Sequence, residues 1–155
     1  MFAIIIYDRH TKTGIAARDP LGIKPLYLAN KNNLIAFSSE MRPLRRFVGS
    51  IPDEVALSEL LIHRFAAGRL SNLKNIDLIQ GGHLIEFDIT TGKCRDHIYC
   101  DMLDTFQSKN EMTESDALEL IHEGLSESIE THLQSDIGYA VQLSGGVDSS
   151  LVTAY

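Results

Sequence analysis

The sequence predicts an α+β fold of antiparallel sheets with covering helices, followed by the opening of an α/β unit. Three observations carry that expectation. Short strand-like runs separated by turn residues fill the chain as far as Tyr99. A capping-box signal, Thr113-Glu114-Ser115-Asp116, stands in front of a long amphipathic pattern. A short apolar run then passes through Ser144-Gly145-Gly146 into another helical stretch.

Strands are expected at Phe2 to Tyr7, Gly14 to Arg18, Pro25 to Ala29, Leu34 to Ser38, Asp77 to Ile79, Leu84 to Phe87 and His97 to Tyr99. Asp8 to Gly14, Asn30 to Asn33 and Asp88 to Gly92 supply Asp, Asn and Gly, which tolerate tight or left-handed turns, so neighbouring strands should pair antiparallel. Pro52-Asp53-Glu54 opens a helix in which Val55, Leu57, Leu60, Leu61 and Phe65 recur at helical spacing and Gly68 offers a stop. This helix is expected to cover the sheet. From Asp101 to Met112 the chain turns polar and loses its period, which sets the expected domains at residues 1–112 and 113–155.

In the second segment Leu118, Ile121, Leu125, Ile129 and Leu133 repeat every three or four residues, with Glu119, His122, Glu123, Glu127 and Glu130 mostly opposite. Gly138 then leads into Tyr139 to Leu143, suited to a buried strand, and Ser149 to Tyr155 reads as helix. The order helix, strand, glycine loop, helix is the start of an α/β nucleotide-binding domain. A segment of this size is expected to need more chain or a partner to stabilise itself, so the sequence reads as a fragment of a longer protein.

Composition narrows the function classes. With 155 residues, 44% hydrophobic and 23% charged, the chain matches an ordinary globular protein. Its formal charge of -7 is spread along the sequence and the only cationic cluster is Arg42, Arg45 and Arg46, too short to track a nucleic acid. No apolar run approaches a membrane span and Met1 to Asp8 lacks a basic leader, so a cytoplasmic address is expected and a membrane partner is not. Cys94 and Cys100 match no zinc, redox or disulfide framework and read as reduced structural thiols. No histidine has ligand spacing.

The chemistry lies in Ser144-Gly145-Gly146-Val147-Asp148-Ser149-Ser150. A strand running through Ser-Gly-Gly directly into a helix gathers backbone N–H groups above the helix N-terminus, where an anion fits. Gly145 and Gly146 permit close approach and positive φ, while Ser144, Ser149 and Ser150 add hydroxyl donors. Asp148 beside phosphates implies a divalent cation, and it is read as a Mg²⁺ ligand. The competing reading is a tight turn with Asp148 or Ser149 as helix caps. The loop has neither the lysine of G-x-x-x-x-G-K-[ST] nor the G-x-G-x-x-G fingerprint, so it belongs to another phosphate-loop class.

Leu143 to Ser150 resembles the SGGxDS (PP-loop) motif of ATP pyrophosphatases, enzymes that cleave ATP to AMP and pyrophosphate. Upstream, Ala17-Arg18-Asp19-Pro20-Leu21-Gly22-Ile23-Lys24-Pro25-Leu26-Tyr27, followed by Phe37-Ser38-Ser39-Glu40, resembles the glutaminase domain of glutamine-hydrolysing asparagine synthetases. The pattern continues from Ile76 to Phe87 and to Tyr99, and it departs at Ile79-Gln80-Gly81-Gly82-His83, where the family usually shows Pro-Pro-Gly-His, and around Ala66-Ala67-Gly68.

The resemblance implies a partial Ntn-type glutaminase of the type 2 amidotransferase class over 1–112, joined to the N-terminal part of an ATP-pyrophosphatase synthetase domain over 113–155. It implies ATP and Mg²⁺ as cofactors, with aspartate and glutamine or ammonia as substrates of the complete enzyme, an asparagine synthase; a homodimer is kept open. On that pattern Ser144, Gly145, Gly146, Val147, Asp148 and Ser149 hold pyrophosphate, and the backbone near Gln142 and Leu143 lies against adenosine. The family nucleophile is an N-terminal cysteine whose α-amino group serves as base; position 2 is Phe2, so no catalytic residue is assigned and the fragment alone is expected to be inactive. Arg18, Asp19, Lys24 and Glu40 are read as structural. The alternatives are a β-lactam synthetase-like or other amidotransferase with a different acceptor, an ATP pyrophosphatase of the tRNA-modifying or GMP synthetase-like kind, and a non-catalytic truncated protein.

Overall fold

The computed structural model describes residues 1–69, 71–105 and 112–155, and it divides into two units, Met1–Ser108 and Lys109–Tyr155. Half of the expected boundary between Asp101 and Met112, residues 106–111, lies outside the described residues.

The first unit is α+β. Strands β1 (Ala3–Asp8), β2 (Thr13–Arg18), β6 (His83–Asp88) and β7 (Lys93–Ile98) form one antiparallel sheet in the order β1-β2-β6-β7. Strands β3 (Tyr27–Lys31), β4 (Leu34–Ser38) and β5 (Ile76–Leu78) form a second, in the order β4-β3-β5. The turn residues do what their types allow. Asn32 and Asn33 adopt φ of 53° and 63° in the two-residue turn that pairs Lys31 with Leu34, the double left-handed geometry that matches strand twist. The turns from Asp8 to Thr13 and from Asp88 to Lys93 share one plan. Each opening aspartate accepts a backbone N–H two residues on, from His10 at 2.8 Å and Thr90 at 2.7 Å. Each turn closes on a left-handed residue, Lys12 at φ 61° or Gly92 at φ 70°.

Alternation along the strands sends side chains into two cores. Ala16, Leu26, Leu28, Ile79, Ile85 and Phe87 pack between the two sheets, with Ile35 and Phe37 against them. Tyr7 stacks on Phe87 with ring centroids 6.5 Å apart, across a position where a side chain on Gly14 would strike the Phe87 ring. On the other face of the smaller sheet, Ala29 and Ile76 pack with Leu44 and Val48 of α1 (Met41–Val48). The layers are therefore sheet, sheet, helix.

That helix corrects the sequence reading, which put the covering role on the segment after Pro52. α2 (Glu54–His63) does form, capped by Asp53, whose side chain accepts from the N–H groups of Val55 and Ala56. Yet it buries only Ala56, while Val55, Leu61 and the following Phe65 stay exposed. The periodicity was real, but the buried positions of α1 are two, Leu44 and Val48, in a helix that also holds three arginines and a proline. A short helix with so few core positions is hard to see by period alone.

In the second unit α4 (Glu114–His132) begins at Thr113, whose side chain accepts from the Asp116 N–H while the Asp116 carboxylate accepts from the Thr113 N–H. The capping box is thus closed in both directions. α4 contains no buried residue; Leu125 and Ile129 are half-buried, and Leu118 and Ile121 are exposed. α5 (Val147–Ala154) meets α4 through Tyr155, whose hydroxyl lies 2.6 Å from His122 Nδ1 with the rings 5.1 Å apart. A four-residue helix, α3 (Met102–Thr105), closes the first unit and was not expected. Among the described residues no helix is long and apolar enough to cross a membrane.

Candidate functional site

Tyr139 to Leu143 does not form the expected strand. The segment pairs with none of the described strands, and Tyr139, Val141 and Leu143 are all exposed. Its apolar residues suit a strand buried on both faces, and such a strand takes shape only between hydrogen-bonded neighbours. Gln142 and Leu143 accordingly lead into the loop as exposed chain.

The loop itself is ordered locally. Gly145 adopts φ +81°, the left-handed conformation that only glycine takes cheaply, and a Cβ there would meet nothing within 4 Å. The requirement for glycine is conformational, then, and the space above it is open. Gly146 is the N-cap of α5, extended at φ -79° and ψ 164°. No side chain caps the helix by a hydrogen bond, so neither Asp148 nor Ser149 is a cap in that sense, while Asp148 stands in the first turn, where its charge favours the positive end of the dipole. The first-turn N–H groups of α5 carry the positive end of the helix dipole with no protein acceptor from a capping side chain.

The hydroxyls sit around this end. Ser144 Oγ lies 2.9 Å from Ser149 Oγ, and Gly146 N–H donates to Ser144 Oγ at 3.5 Å. Ser149 and Ser150 donate to the Gly146 carbonyl at 3.1 and 2.8 Å. Ser144, Gly146 and Ser149 are thus brought together, with Asp148 in the first turn beside them. The Val147 side chain is exposed, and its backbone is the first residue of α5. Among the described residues no three His, Cys, Asp or Glu side chains gather as a metal cluster. A cation at Asp148 would therefore have one protein carboxylate and would take its other ligands from phosphate and water, the usual manner of Mg²⁺.

The upstream motif is a knot. Arg18 donates to the carbonyls of Lys24 at 2.7 Å, Ile79 at 2.6 Å, and Gly22. Asp19, 2% exposed, accepts from the N–H groups of Ile23 at 2.9 Å, Lys24 at 3.0 Å and Phe2 at 3.3 Å. Burial pushes the Asp19 carboxyl up, but those backbone donors outweigh it and hold the group below its ordinary value. Tyr99 OH donates to the Arg18 carbonyl at 2.7 Å. Gly81 fits against the same loop, where a Cβ would come within 2.5 Å of the Pro20 carbonyl oxygen. The departure Gln80-Gly81-Gly82 thus has a steric reason here. Lys24 takes part through its backbone, and Glu40 donates its N–H to Ser38 Oγ at the start of α1.

Cys94 is not prepared as a nucleophile. Cys94 and Cys100 are both free and half-buried, and burial raises Cys94, the reverse of an activated cysteine. Sequence reading missed one network: Asp96 accepts from Arg69 at 2.9 Å and meets His83 Nδ1 at 2.9 Å, while Arg69 also reaches Asp77 at 3.3 Å. The β6-β7 register, which sets Asp96 opposite Ile85 and so diagonal to His83, creates it, and no spacing within either strand signals it.

Comparison with known proteins finds two family matches along the chain. The family described as "Glutamine amidotransferase domain" matches residues 1–100, and "Asparagine synthase" matches residues 120–155. The chain is 29% identical to asparagine synthetase [glutamine-hydrolyzing] 2 of Bacillus subtilis over 100% of its own length and 22% of the relative's. It is 29% identical to asparagine synthetase B of Escherichia coli over 99% of its length and 23% of the relative's. Amidase chry2 of Gibberella zeae is 28% identical over 97% of the chain and 22% of the relative. The chain therefore spans less than a quarter of the length of these relatives, and with the motifs at Arg18 to Tyr27 and at Ser144 to Ser150 it belongs to the glutamine-hydrolysing asparagine synthetase family.

Proposed function

We propose that Ser144 to Ser149 form the pyrophosphate cradle of an ATP-dependent amidoligase, and that the complete enzyme amidates aspartate through a β-aspartyl-AMP intermediate with ammonia from glutamine. In this reading residues 1–112 belong to the glutaminase domain with its linker and residues 113–155 open the ATP-binding domain. The observation that carries it is the uncapped N-terminus of α5 behind a left-handed Gly145, with Ser144 and Ser149 hydroxyls 2.9 Å apart.

The residues fit a phosphate chain. The N–H groups of the first turn of α5 stabilise charge on the departing pyrophosphate, and Ser144 and Ser149 orient its oxygens. Mg²⁺, when bound, would neutralise charge on the triphosphate of ATP and favour departure of pyrophosphate as AMP passes to the carboxylate. Asp148 holds that ion from the protein side, and the backbone of Gln142 and Leu143 lies against the nucleoside. Cys94 and Cys100 leave glutamine hydrolysis to a nucleophile other than these thiols.

The test is pyrophosphate release from ATP by the complete enzyme with Mg²⁺, aspartate and ammonia, repeated with Asp148→Ala. Aspartate-dependent release that falls by about a hundredfold or more in the variant supports the reading. Release without aspartate dependence overturns the acceptor, and an unaffected variant overturns the metal role. A second carboxylate acceptor, as in β-lactam synthetase-like relatives, is read directly from which acid stimulates release.

A further inference from the structure

We draw no further inference here: the strongest candidate, the exposed face of α1 on which Arg42, Arg46 and Phe47 line a surface cavity, carries nothing because nothing among the described residues shows what covers it.

Discussion

The knot at Arg18 and Asp19 and the loop at Ser144 to Ser150 are both rich in polar groups, yet they face opposite ways. In the knot the Asp19 carboxylate and the Arg18 guanidinium end on partners within the fold: carbonyls of Gly22, Lys24 and Ile79, and N–H groups of Phe2, Ile23 and Lys24. A group whose partners are all internal holds shape. At the loop, backbone donors sit at an exposed helix end with no capping side chain, and such donors are open to a ligand. Motif strength alone does not separate the two regions; the destination of each donor does.

The comparison is broken most easily at the packing that supports the knot's side. Leu44→Ala is expected to lower the stability of the first unit by about 2–5 kcal/mol, since Leu44 is 1% exposed between α1 and the smaller sheet. Urea denaturation measures it, and a loss within noise would mean that α1 does not seal that core.

Asp19→Asn comes next, at about 2–4 kcal/mol, because three backbone donors lose a charged acceptor in a buried place. The sign of its pH dependence follows from the lowered folded value. Stability from Asp19 is complete above the ordinary aspartate range and is lost as pH falls through that lowered value. The variant should therefore show a shallower acid limb than the parent.

On the loop side, Gly145→Ala is expected to leave urea unfolding of the first unit unchanged and to weaken binding of Mg²⁺-pyrophosphate by about tenfold, through about 1–2 kcal/mol of left-handed strain. Titration calorimetry reads the affinity. A drop in first-unit stability would erase the contrast between the regions. The smallest effect is Lys12→Gly, a net gain of about 0.5 kcal/mol, as relief of strain at φ 61° exceeds the added chain entropy. Thermal unfolding checks it.

Much of this was legible in the sequence because local chemistry and tertiary role coincide there. All seven strands of the first unit fall where hairpin turns and alternation put them, although β7 begins at Lys93 rather than near His97. Charged residues on an edge strand hide the period that alternation needs. The capping box at Thr113 was readable for the same local reason. What failed depended on neighbours. The role of α1 rests on two buried positions against Ala29 and Ile76, and Tyr139 to Leu143 carries strand composition without a ladder. The loop's residues were legible, but its uncapped helix end was not, since a side chain in the first turn reads equally as cap or as ligand-facing group.

Pairing of β2 with β6 sets Ala16 opposite Ile85, and the whole smaller sheet lies in the intervening chain. Joining such distant strands is slow when the connecting chain is loose, because the entropy of closing the loop comes before any contact rewards it. If β3, β4 and β5 gather first, the effective loop is short and the larger sheet closes onto a partner already in place. The backbone hydrogen bond from Gly82 N–H to the Asp19 carbonyl, 3.0 Å long, spans that junction. If that closure comes last, this bond forms with it, and refolding followed by stopped flow is expected to slow in acid as the buried Asp19 beside it becomes protonated.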